Sequence, residues 1–120
     1  MYVIAQILTA LVAVEHLYIL WMEMFAWETA GQKTFNTLPK DLFKQTTVLA
    51  ANQGLYNGFL AAGLIWSFFI SDPIWVKNIR IFFLSCVIIA GLYGAKTLVK
   101  KIFVVQAIPA ILALIFVFLA

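Results

Sequence analysis

Glu15 and His16 stand side by side in an otherwise apolar stretch, with Tyr18 just beyond them and Glu23 about two turns further on. A carboxyl group beside an imidazole can pass a proton, grip a hydrogen-bonding or cationic ligand, or pair with neighbouring amides. A second set, Asn52, Gln53, Tyr56 and Asn57, has the i, i+1, i+4, i+5 spacing that places side chains along one face of a helix. At about 100° per residue, His16, Glu23 and Trp27 fall on one stripe, and Glu15 lies about a quarter-turn away. Tyr93, Lys96 and Gln106 add further polar atoms in later segments.

The elements that carry these groups follow from composition. Of 120 residues, 65% are hydrophobic and only 11% charged, against roughly 25% charged in a soluble domain. The mean hydropathy is +1.04. A soluble fold this small leaves too much surface in water to hide so many apolar side chains. The expected solvent is therefore lipid, where a span needs about 20 mainly apolar residues. The chain divides into spans at about 3–26, 47–70, 74–95 and 102–120. The expected fold is all-α, one membrane-embedded four-helix bundle over 1–120 with no separate soluble domain. The opening Met1-Tyr2-Val3-Ile4 lacks the basic stretch of a secretory signal, so the first segment is expected to stay as a helix.

Between the first two spans, Pro39 to Lys44 has the pattern of a short amphipathic turn on the membrane surface. Ser71-Asp72-Pro73 ends the second span and starts the third, with Ser71 or Asp72 as cap and Pro73 where a missing N–H costs nothing. Pro109 predicts a kink in the fourth. Ala50, Gly54, Gly58 and Ala62 recur every four residues, a small-residue seam for close helix approach, and Gly91 with Ala95 suggests a second. Cys86 has no partner for an internal disulfide and reads as a buried thiol.

Net charge is +3, and its distribution reads as topology, with no nucleic-acid partner expected. Lys33, Lys40, Lys44, Lys96, Lys100 and Lys101 border the first and third connections, leaving Lys77 and Arg80 by the second. That bias predicts both termini on the outer side and the lysine-bearing connections in the cytoplasm. The polar residues then gather in the cytoplasmic half, and the outer half is expected to be nearly all apolar.

Three readings fit this cluster. It can be a hydrogen-bonded core that fixes helix register. It can be a cytoplasm-facing pocket for a small or lipid-like molecule, lined by Glu15, His16, Glu23, Asn52, Gln53, Tyr56 and Asn57. It can be the site of a small proton-coupled transporter using an intramembrane carboxylate. By depth, Tyr56 and Asn57 are expected near Glu15 and His16, with Asn52 and Gln53 near Glu23. One histidine falls short of the usual metal-ligand set, and no nucleophile–base triad, phosphate loop or haem motif is present. Catalysis and cofactor are left open. The pocket reading is preferred, with membrane lipids, a small-molecule ligand and further copies of the chain as partners in a homo-oligomer.

Glu15-His16-Leu17-Tyr18-Ile19-Leu20 running into Glu23-Met24-Phe25-Ala26-Trp27, and then Ala51-Asn52-Gln53-Gly54-Leu55-Tyr56-Asn57-Gly58-Phe59, resemble the bacterial family known as domain of unknown function 1304. The resemblance spans nearly the whole chain and implies a small four-helix protein, multi-pass in the bacterial cell (inner) membrane, without implying an activity. The membrane-associated eicosanoid and glutathione metabolism family and the small multidrug exporters share only the four-helix outline, a weak warrant for function.

The lysine bias predicts the outcome of cysteine labelling in a background with Cys86 replaced. A cysteine at Lys33 or Lys100 is shielded from an impermeant thiol reagent in intact cells, and one at Asp72 reacts. Equal labelling of both sets would point to dual topology.

Overall fold

In the computed structural model, which describes residues 1–120, the chain is all-α, with six helices and no strand. They are α1 (Tyr2–Phe25), α2 (Gln32–Thr34), α3 (Lys40–Gln45), α4 (Thr47–Trp66), α5 (Pro73–Thr97) and α6 (Ile108–Leu119). Two of them, α1 and α5, are long and apolar enough to cross a membrane. The start of α5 is set by Asp72, whose Oδ1 accepts from the Ile74 N–H at 2.9 Å, with Pro73 in the first turn. Asp72 is thus the cap, satisfying a donor that the helix cannot.

Helix α1 packs on α4 and α6, and α5 packs on α6 and α4. Their inward faces meet in a core of small and branched residues, among them Ala5, Val12, Ala13, Leu64, Leu84, Val87, Ala110, Ala113 and Val117. Alanines at these positions let the helix axes approach. One close approach lies on the small-residue stripe of α4. A Cβ added at Gly54 would come within 2.9 Å of Glu23 Cβ and 3.1 Å of the Leu20 carbonyl oxygen, so this seam is filled within one chain. The stripe does not run straight. A four-residue step turns about 400°, so the row drifts some 40° each time. By Ala62 it has rotated outward and is exposed, and Ala61 takes the buried position. On α5 the second seam is Gly91, where an added Cβ would lie 2.9 Å from the backbone nitrogen of Ala107.

Pro109 acts one turn upstream. Its ring would press on the carbonyl four residues back and it offers no N–H. The segment Phe103–Ala107 responds by widening into a π-type turn before α6 begins. The widened turn pushes Gln106 and Ala107 inward, and both are buried.

The first connection folds under one end of the helices. Trp27 donates through Nε1 to Thr46 Oγ1 at 2.9 Å and lies 4.9 Å from the Phe43 ring and 5.5 Å from the Phe35 ring. Met22, Phe35 and Phe43 form a second small core, against which Val99 and Ile102 also pack. Helix α3 stands where an amphipathic turn was expected, with Phe43 buried in the protein and Leu42 exposed. Trp27, which shares a stripe with His16 and Glu23, is half-buried at the centre of this plug.

The seam makes an ordered prediction. Gly54→Ala meets backbone as well as side chain and is expected to cost about 1–3 kcal/mol. Gly58→Ala meets chiefly the movable end of the Leu20 side chain and costs less. Thermal unfolding in detergent checks the order, and equal tolerance of both would remove the seam.

Candidate functional site

At the end of the molecule closed by the first connection, the helices part around a cavity of about 380 Å³. Helix α1 contributes Glu15, Tyr18, Met22 and Glu23, and α4 contributes Gln53, Tyr56, Asn57 and Leu60. Ala90 and Gly94 of α5 supply a wall of small side chains, and Val105 and Gln106 come from the widened turn. Thr34 and Phe35 from the first connection, with Leu98, Val99, Lys101 and Ile102 after α5, complete the lining. The wall is mainly apolar, with a few convergent polar groups, which is the usual make-up of a small-molecule site.

Glu23 is almost fully buried and accepts a 2.7 Å hydrogen bond from Asn57 Nδ2. This pairing corrects the expected depth match, which placed Asn57 beside Glu15 and His16. Asn57 also donates to the Gln53 carbonyl at 3.2 Å, which fixes the amide's orientation.

His16 is fully buried behind the cavity and is not among the residues that line it. Its Nδ1 lies 2.8 Å from the Val12 carbonyl, which can only accept, so Nδ1 carries the hydrogen. Nε2 then holds a lone pair and receives Gln106 Nε2–H at 2.9 Å. Geometry thus selects one tautomer of the neutral ring. Glu15 Oε1 is 3.9 Å from His16 Nδ1, but the Nδ1 proton is already committed to Val12. As a result Glu15 Oε1 is buried at the cavity with no hydrogen-bond partner.

Of the seven residues expected to form the site, Glu15, Glu23, Gln53, Tyr56 and Asn57 line this cavity. Asn52 is exposed and returns its amide to the Val48 carbonyl at 2.9 Å. The sequence reading placed Gln106 in the right half but did not foresee its bond to His16. It missed Thr34, Phe35 and Lys101 in the wall, because residues of a connection carry no periodicity from which to read a direction.

The opposite end corrects the expectation of an apolar outer half. Arg80 belongs to the body of α5 and is 3% exposed. It donates through Nε to Ser67 Oγ at 2.8 Å and through Nη1 to Gln6 Oε1, with its Cζ 4.4 Å from the Phe68 ring centroid.

With this geometry in view, the comparisons are informative. A family model described as protein of unknown function (DUF1304) matches residues 10–118, and the chain belongs to that family. It is also similar to the uncharacterized protein YpaA of Lactococcus lactis subsp. lactis. The two are 36% identical over 117 residues, covering 96% of this chain and 97% of that protein. No solved structure matches the chain.

The His16–Gln106 pair predicts a coupling. Gln106→Leu leaves a buried ring nitrogen without a donor and is expected to cost about 1 kcal/mol. Replacing His16 by Leu in the same chain should recover part of that loss. A double-mutant cycle on unfolding in detergent measures it, and strict additivity would show that the two do not interact.

Proposed function

We propose that this chain is an integral protein of the bacterial cell membrane whose cavity binds a small, largely apolar molecule with a hydrogen-bond-donating head. In this reading four membrane-crossing helices form one bundle: α1, α4 with its short extension, α5, and the run from Phe103 to Leu119. The termini lie outside, the cavity opens toward the cytoplasm, and further copies of the chain assemble around the bundle.

Large apolar side chains turned outward support the membrane reading. Phe25, Val48, Leu49 and Phe69 are 73%, 72%, 71% and 81% exposed, on segments otherwise poor in charge. Helix α1, with 24 residues, is about 36 Å long, enough for a hydrocarbon layer of about 30 Å. Six lysines border the connections at the cavity end and support the orientation.

The observation that carries the binding reading is Glu15 Oε1, an acceptor buried in the cavity without a donor. Leaving a polar atom unpaired away from water costs free energy, which a donor on a bound molecule would return. A core network serving register alone would be expected to close on itself, as Glu23 and Asn57 do. The space of about 380 Å³ suits a molecule of metabolite size or the head of a lipid-like one.

The test compares Glu15→Gln and Glu23→Gln with wild type in a thermal-shift screen of amphipathic amines, alcohols and amides. A ligand at a hundredfold its Kd stabilises by about 2.7 kcal/mol. Glu15→Gln is expected to weaken binding about tenfold, and Glu23→Gln to weaken it less, because its contact with Asn57 survives. Ligands that stabilise both variants and wild type alike would return the carboxylates to a structural role. Loss of proton-coupled flux by folded Glu15→Gln in reconstituted vesicles would favour a carrier.

A further inference from the structure

Arg80 lies far from that cavity, at the end where α1 and α5 begin, and no carboxylate of the chain lies within 4.0 Å of its guanidinium. Its three close partners, Gln6, Ser67 and Phe68, are all neutral. Among acidic and basic side chains, His16 and Glu15 are the only pair within 4.0 Å, so no carboxylate reaches Arg80. Asp72, the nearest acidic residue in sequence, is exposed and gives Oδ1 to the Ile74 N–H. A guanidinium offers five N–H donors, and two of its nitrogens are already engaged.

Arg80 also lines a cleft of about 190 Å³, together with Tyr2, Ser71, Lys77, Val117 and the last residue, Ala120. Lys77 sits one turn before Arg80 on α5 and spends one contact, at 3.3 Å, on the Phe118 carbonyl. Two cations, one of them 3% exposed, thus share a small space with hydroxyl groups, and no carboxylate of the chain lies within 4.0 Å of either. Burying an unpaired charge is costly, and a buried cation is ordinarily matched by an opposite one.

We propose that this cleft is a phosphate-type oxyanion site, in which Arg80 and Lys77 hold the charged oxygens and Ser71 and Tyr2 supply hydroxyl contacts. The space accommodates a phosphoryl group and little more, and the planar guanidinium suits bidentate contact with its oxygens. A phospholipid headgroup and a free phosphate present the same chemistry. The site is independent of the cavity at the other end and stands whether or not that cavity binds anything.

The experiment uses the full chain in nonionic detergent and follows thermal unfolding. One arm adds inorganic phosphate, with sodium chloride at equal ionic strength as control. The other adds phosphatidylglycerol or phosphatidylcholine to the micelles, with lipid retention read by native mass spectrometry. Stabilisation by phosphate alone identifies a soluble anion, by lipid alone a headgroup, and by both a site open to either. Lys77→Ala is expected to weaken the effect about fivefold, and Arg80→Lys, which keeps the charge but loses the fork, more strongly. If Arg80→Lys does not fold, Lys77→Ala decides alone, since its side chain stands at the partly open edge of the cleft. No stabilisation beyond chloride in either arm overturns the proposal, as does an equal response from wild type and the folded variants.

Discussion

The close approach of α1 and α4 governs the chain's polar chemistry. At Gly54 the two helices touch so tightly that one added carbon would strike both the Glu23 side chain and the Leu20 backbone. Contact at this range fixes rotation as well as distance, because a helix in van der Waals contact along a small-residue row cannot turn without a clash. Asn57, three residues beyond Gly54, is thereby delivered to Glu23 at 2.7 Å. The same constraint holds Gln53 and Tyr56 at the rim of the cavity. A bulkier residue at Gly54 would push the helices apart and displace the Glu23 side chain with them.

A second constraint comes from the other pair of helices. Pro109 forces the preceding turn to widen, and Gly91 lets that widened turn lie against α5. Together they carry Gln106 inward until it meets His16 across the interior at 2.9 Å. A backbone irregularity thus becomes a side-chain contact between the first and last helices. It also commits His16 to two partners, which leaves Glu15 without one.

Polar groups gather at both ends of the molecule, separated by the apolar middle built from residues such as Val12, Leu64, Leu84 and Ala113. The ionisable side chains drawn inward differ between the two ends. The cavity end carries Glu15 and Glu23, and the far end carries Arg80 and Lys77. Direct pairing between these sets is prevented by the core.

Sequence alone determined that the chain is helical and apolar, that it belongs with the DUF1304 proteins, and that α5 starts within Ser71-Asp72-Pro73. It also determined which residues are chemically capable, because an acid, a histidine or an amide in a hydrophobic run is conspicuous by type alone. The partners were decided by tertiary structure. Asn57 with Glu23, Gln106 with His16 and Arg80 with Gln6 are 34, 90 and 74 residues apart in sequence. Helical periodicity tells which side chains share a face, but not how far one helix slides or turns against another. Asn52 shows the limit: it follows the pattern of Gln53 and Tyr56, yet a rotation of about 100° from Gln53 leaves it outside the cavity. Thr34 and Phe35 join the wall because the connection folds back beneath the helices, an outcome set by packing around Trp27 and Phe43 and by no local pattern.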